Sequence, residues 1–171
     1  MDISVIKKEN VNTDHGILVG KETAPITMIE FLNVRCPYCK KWFLEHFEYL
    51  HVYVHDGQLK RLFKFFNKDK HALKRGNIMH QFIPRKNDLE TLFIIKQIFE
   101  TQNEWGDLSD EEIEAFAMNQ LHLEKQADDG MAQAIIDEAR EANIQFVPTV
   151  LVGDQIFDEH VTAQELQQLL K

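Results

Sequence analysis

The stretch from residue 25 to residue 67 constrains the fold of this chain more than any other. Pro25 leads into Ile-Thr-Met-Ile-Glu-Phe-Leu at 26–32, apolar and β-branched enough for a strand buried on both faces. Phe43, Phe47, Leu50 and Val54 then recur at spacings of 4, 3 and 4, the stripe of one amphipathic helix that runs to about His55 and stops at the turn signal Asp56-Gly57. Leu59 to Asn67 reads as a second strand. A strand, a helix and a strand in that order form a crossover unit, so the two strands are expected to lie parallel. Both cysteines of the chain, Cys36 and Cys39 in Cys-Pro-Tyr-Cys, fall where the first strand gives way to the helix.

Residues 68–127 are expected to form a helical block: a short helix near 70–80, another over Asp88–Thr101, and a third opened by the capping-box spacing Ser109-Asp-Glu-Glu112. A fourth helix near Asp128–Ala142 would end at Asn143, a residue that tolerates left-handed backbone. Phe146-Val-Pro-Thr-Val-Leu-Val152 reads as a strand, Gly153-Asp154 as a hairpin turn into Gln155-Ile-Phe157, and Thr162-Ala-Gln-Glu165 as the capped start of a last helix. Three segments follow: 1–67, carrying the first β-α-β part of a core; 68–127, a helical insertion; and 128–171, the remainder of the core as α-β-β-α. No Pro/Gly/Ser linker marks either crossing, so the insertion is expected to pack on the core.

With 44% apolar and 27% charged residues the chain has globular composition, and 171 residues bury enough surface to fold without disulfides. Nineteen Lys and Arg against 28 Asp and Glu give a net charge of −9, which argues against general affinity for nucleic acid or anionic membrane. No apolar run approaches the roughly 20 residues that span a bilayer, and the N-terminus lacks the apolar stretch of a secretory signal. A cytoplasmic location is therefore expected; a mature exported domain given a new Met1 would read the same. Charge is uneven: residues 58–86 hold nine Lys/Arg and one acid, and residues 101–141 hold twelve acids and two bases. Such blocks usually form solvated faces that attract one another, and they could also dock a partner reductase or client.

Two cysteines this close cannot staple a distant loop, because a four-residue ring removes little chain entropy. Redox chemistry, half a metal site and coincidence remain. A cysteine at a helix N-terminus sits among unpaired N–H groups at the positive end of the helix dipole, which favours the thiolate. Pro37 suits the first helical position, and Arg35 adds a cation beside Cys36. Cys36 is thus the expected attacking thiolate, and Cys39, one turn further in, the resolving thiol. Zinc is the main competitor, since Cys36-x2-Cys39-x11-His51-x3-His55 nearly spells a finger. On one continuous helix, however, Cys39 and His51 would stand about 18 Å apart at 1.5 Å per residue, too far to share an ion. No metal and no organic cofactor is expected.

These pieces resemble the DsbA-like branch of the thioredoxin superfamily over about residues 20–171. The resemblance rests on Gly20-x-x-x-Ala24-Pro25, on Glu-Phe-x-x-x-x-Cys-Pro-Tyr-Cys at 30–39, on Val-Pro-Thr at 147–149 with its hairpin, and on the terminal helix. It implies a thioredoxin fold, a mixed α/β sheet flanked by helices, with an inserted helical domain. It also implies that Pro148 is cis and faces the cysteine pair, and that Val147, Pro148, Thr149, Pro37 and Tyr38 line the substrate site. By position, Glu30 matches the family's buried acid, which can accept the proton of Cys39 through water, and Lys64 matches its cationic partner. Tyr38 stands where the most strongly oxidising members have histidine, which implies a less oxidising pair. Asn143 and Phe146 stand where glycines are common.

The function so implied is thiol-disulfide exchange with protein or small-thiol substrates through a mixed disulfide on Cys36, by a monomer, with net reduction in a reducing cytoplasm. Two other readings stay open: an exported oxidant without its signal peptide, and a redox-sensing or client-binding module with little turnover.

Overall fold

A computed structural model of the chain describes residues 2–171. At its centre lies a five-stranded sheet of β1 (Ile17–Val19), β2 (Ile26–Leu32), β3 (Leu59–Phe65), β4 (Thr149–Val152) and β5 (Gln155–Phe157), in the spatial order β1-β3-β2-β4-β5. β2 and β3 are parallel, as a helical crossover demands, while β1, β4 and β5 pair antiparallel to their neighbours. Opposite residues of paired strands share a face, so the register Glu30↔Phe63 and Phe31↔Lys64 sorts the sheet into two sides. Met28, Leu32, Phe63 and Phe65 face the larger core. Phe31 and Leu151 face a smaller one.

The larger core is built with α1 (Pro37–Glu45) and α2 (Phe47–His55), together with the insertion α3 (Lys74–His80), α4 (Leu89–Glu100), α5 (Gln102–Trp105) and α6 (Asp110–Asn119). Phe43 of α1 and Phe99 of α4 meet with ring centroids 5.1 Å apart, which seats the insertion on α1. Burying each such ring contributes about 1.5–3 kcal/mol. The smaller core is closed by α7 (Met131–Glu141) through Ile135 and Ala139. The N-terminal segment runs alongside, where the Lys7 N–H donates to the Ala142 carbonyl at 2.8 Å. α8 (Ala163–Leu169) completes the chain, with Leu166 buried. No helix among the described residues is long and apolar enough to cross a membrane.

The expected order of elements is present, with local differences. β1 is a three-residue edge strand, too short to show a period. The helix expected to run unbroken to His55 is two helices, because His46, with ψ of 8°, interrupts the ladder. The stripe nevertheless marks the buried side across the break: Phe43, Phe47, Leu50 and Val54 are all buried. α7 starts at Met131 rather than Asp128, because the Asp128 and Asp129 carboxylates accept the Gly130 and Met131 N–H groups and Gly130 takes φ of 84° as its N-cap. It ends as its sequence suggests: Asn143 has φ of 56°, and the N–H groups of Asn143 and Ile144 return to the carbonyls of Arg140 and Ala139, the two bonds of a Schellman cap. Both capping boxes, at Ser109 and Thr162, are formed. β4 begins at Thr149, after an irregular Phe146–Pro148 approach.

Candidate active site

Cys36 is the N-cap of α1, in extended backbone, and Pro37 occupies the first helical turn, where its missing N–H leaves nothing unpaired. The Cys36 thiol is pulled down to about 7, first by a hydrogen bond from the Cys39 thiol and then by the N–H groups of Cys39 and Tyr38; burial and the Glu159 carboxylate oppose this. Cys39 is pushed the other way, well above an ordinary thiol, chiefly because it is fully buried. The two sulfurs therefore differ as an attacking and a resolving thiol must: one ionises near neutral pH at the helix N-terminus, the other holds its proton inside the core. Both are free thiols in this structure. The Asn33 N–H donates to the Cys39 Sγ at 3.4 Å.

The Cys36 Sγ lies 3.6 Å from the Val147 carbonyl oxygen, and the Val147–Pro148 peptide is cis. The site thus joins residues more than a hundred positions apart. Val147 is half-buried, Pro148 and Thr149 are buried, and the Thr149 hydroxyl donates to the Phe146 carbonyl at 2.6 Å. Pro37 and Tyr38 are exposed, Tyr38 at 58%. Phe146, which opens the strand expected from the sequence and stands where glycine is common, is 51% exposed on the same segment as Val147.

Glu30 lies on the cysteine side of the sheet between Met28 and Leu32, fully buried. Its carboxylate accepts from the Trp42 indole at 2.9 Å and from two nitrogens of Arg61 at 2.8 and 2.7 Å. Arg61, also fully buried, lies over the rings of Phe43 and Phe63. Lys64, the residue expected to be the cation beside Glu30, is not its partner. Strand side chains alternate, and Lys64 sits opposite Phe31 in the parallel register, so it points to the far face and pairs with Glu138 of α7 at 2.7 Å. Counting parity along β3 from the buried Phe63 and Phe65 would have selected Arg61.

Arg35 is likewise engaged elsewhere. Its guanidinium donates to the Gly106 carbonyl at 2.8 Å and to Asp107 at 3.1 Å, so the thiolate depends on Cys39 and the helix N–H groups rather than on this cation. The zinc spacing is not realised as one unit: His51 stands on α2, across the break at His46, stacked on Phe47 with ring centroids 5.5 Å apart. Among the described residues, Asp158, Glu159 and His160 bring ligand atoms within 4.8 Å of one another, and neither cysteine is among them.

The loop leading into Cys36 is held by the insertion. His80 of α3 accepts the Val34 N–H on Nε2 at 3.1 Å and meets Asn67 Oδ1 through Nδ1 at 2.8 Å; burial holds its pKa down at about 3, so it is the neutral ring that accepts. Gln102 of α5 donates to the carbonyls of Val34 at 2.7 Å and Cys36 at 3.2 Å. Neither residue was singled out from the sequence, where each stands more than forty positions from the cysteines. Cavities of about 600 Å³ between β5 and α8 and about 410 Å³ beside His80 are not lined by either cysteine. Cys36 itself is buried, at 4% exposure, while Pro37 and Tyr38 beside it and Phe146 on the Val147 segment are exposed.

Known proteins share this fold. A family model described as thioredoxin matches residues 12–171. Disulfide bond formation protein D of Bacillus subtilis (strain 168) is 25% identical over 171 residues, 90% of this chain and 75% of that protein. Among solved structures, a conserved protein of unknown function from Enterococcus faecalis V583 is 46% identical, with a TM-score of 0.95 over 99% of this chain and 97% of that one. Oxidised BdbD from Bacillus subtilis shares the fold, with a TM-score of 0.66 and 15% identity over 96% of this chain and 93% of that one.

Proposed function

Since the chain belongs to the thioredoxin family, we propose that it is a thiol-disulfide oxidoreductase acting on protein disulfides through Cys36 and Cys39. The observation that carries this reading is the split between the two thiols, with Cys36 lowered to about 7 at a helix N-terminus and Cys39 raised inside the core. In the reducing direction the Cys36 thiolate attacks one sulfur of a client disulfide. A Cys36–client bond forms, and the other client sulfur leaves as a thiolate that takes up a proton. Cys39 then loses its proton and attacks the Cys36 sulfur, closing Cys36–Cys39 and releasing the second client thiol. Two electrons pass from the dithiol to the client.

Glu30, behind the pair and joined to α1 through Trp42, serves in this reading as the acid-base group for the Cys39 proton, with Arg61 holding its carboxylate in place. Val147, Pro148 and Thr149 form one side of the client site, and Pro37 and Tyr38 the other. The exposed Pro37, Tyr38 and Phe146 beside the site favour polypeptide clients over a small enclosed ligand. The thiol near 7 stands with thioredoxin, at about 7, rather than with the strongly oxidising DsbA, at about 3.5. That poise suits net reduction in a reducing compartment such as the cytoplasm, with a partner reductase restoring the dithiol. A monomer is the proposed acting form.

Trapping tests the assignment. With Cys39→Ala, a disulfide-bonded client peptide should accumulate as a mixed disulfide on Cys36, found by mass. The wild type should turn over insulin disulfides, and Cys36→Ala should do neither. A wild type that binds reduced or oxidised clients without turnover would leave a binding module instead.

A further inference from the structure

The main chain entering the active site is held from outside the core. Of the four residues Asn33–Cys36, Val34 donates its N–H to His80 and its carbonyl accepts from Gln102; Cys36 offers its carbonyl to Gln102 and to the Lys40 N–H at 3.1 Å. Gln102 is 2% exposed, and its single amide nitrogen bridges two carbonyls that flank Arg35. The other end of α5 grips Arg35 itself through the Gly106 carbonyl. The fit is close: a Cβ at Gly106 would meet the Arg35 Nε at 2.6 Å, and one at Gly76 would collide with the Asn33 Oδ1. A four-residue helix with so little helix of its own exists here to present these groups.

From this geometry we infer that Gln102 is a positioning residue, through which the helical insertion sets the thiolate character and redox poise of Cys36. The amide fixes the Cys36 carbonyl while the same residue caps α1, which keeps its sulfur at the N–H groups of Tyr38 and Cys39. The amide hydrogens also place partial positive charge beside the nucleophile's own peptide. Both effects favour the thiolate, and the thiolate belongs to the dithiol form. Removing the amide raises the Cys36 pKa and makes the dithiol a stronger reductant. The inference rests on the oxidoreductase reading above and adds to it the way in which the insertion acts.

Gln102→Met keeps the length of the side chain and removes both hydrogen bonds. The thiolate absorbance of Cys36 near 240 nm should titrate higher than in the wild type by half a unit or more. At a pH above both titrations, the equilibrium constant against glutathione should shift at least about threefold toward reduction of glutathione disulfide, about 15 mV. A folded Gln102→Met protein with lower thermal stability but an unchanged thiol titration and equilibrium constant would overturn the inference, since that is how a merely structural residue behaves. In the wild type, the side-chain amide resonances of Gln102 should follow the Cys36 titration. Amide resonances that ignore it would likewise overturn the inference, and this decides the matter if Gln102→Met does not fold. A wild type with no reversible disulfide at all would instead sink the oxidoreductase reading itself.

Discussion

Two buried ion pairs are anchored on the same strand, β3, and point to opposite faces of the sheet. On the cysteine face Arg61 holds Glu30 through two hydrogen bonds, with N–O distances down to 2.7 Å; on the far face Lys64 holds Glu138, also at 2.7 Å. Their surroundings differ. Glu30 takes a third bond from Trp42 of α1, next to the redox helix, whereas Glu138 takes its other bond from the Asn12 N–H and so ties down the N-terminal segment. Their cations differ too. Arg61 is always charged and cannot escape burial by losing a proton, while burial already lowers the pKa of Lys64. Similar distances thus serve two purposes: one pair joins the sheet to α1 through Trp42, and the other fastens α7 and the N-terminus to the sheet.

The largest break in this comparison comes from Glu30→Gln, which leaves Arg61 charged, buried and unpaired. About 3–5 kcal/mol of stability should be lost in chemical denaturation, and the pH profile of exchange should change as well. An unchanged profile would remove Glu30 from the reaction and leave it a structural carboxylate. Glu138→Gln should cost less, about 1.5–3 kcal/mol, because Lys64 keeps the His15 carbonyl and can shed its proton. Its exchange kinetics should match the wild type. Slower exchange in this variant would mean that the two faces are coupled.

A smaller, pH-dependent difference sharpens the contrast. In the dithiol protein the folded Cys36 pKa of about 7 lies below the ordinary thiol value of 9.0. The unfolded chain therefore binds more protons between those values, and stability rises with pH there. The contribution is fully present above about 9 and is lost as pH falls through about 7. The slope is at most about 1.4 kcal/mol per pH unit. The disulfide form has no thiol to titrate and should lack the slope, so denaturation of both forms between pH 7 and 8, below the range where the raised Cys39 thiol adds an opposing slope, reads it directly. Parallel lines for the two forms would contradict the lowered thiol.

What the sequence made legible follows the range of the interactions. Patterns held within a few residues are visible: the strand-cysteine-helix junction, the capping boxes at Ser109 and Thr162, and the left-handed Asn143 that closes α7. The assignment of Lys64 to Glu30 failed because position relative to a motif was used where strand parity decides. Phe63 and Phe65 mark the cysteine face, and only Arg61 shares it. Gln102 and His80 were out of reach for another reason. Their role exists only once the insertion folds back on the loop at 33–36, and no local pattern distinguishes a glutamine or histidine that will do this from one on a solvated face. The break at His46 is similar, since the apolar stripe continues through it.

The central claim is that Cys36 and Cys39 form a working redox couple. Equilibration in graded thiol-disulfide buffers, followed by trapping of free thiols and mass measurement, tests it most directly. The account predicts one reversible two-electron transition confined to this pair, with a midpoint on the reducing side, near thioredoxin's value of about −270 mV and below the about −120 mV of DsbA. A midpoint near −120 mV would contradict the proposed direction, and a pair that never forms a reversible disulfide would contradict the claim itself.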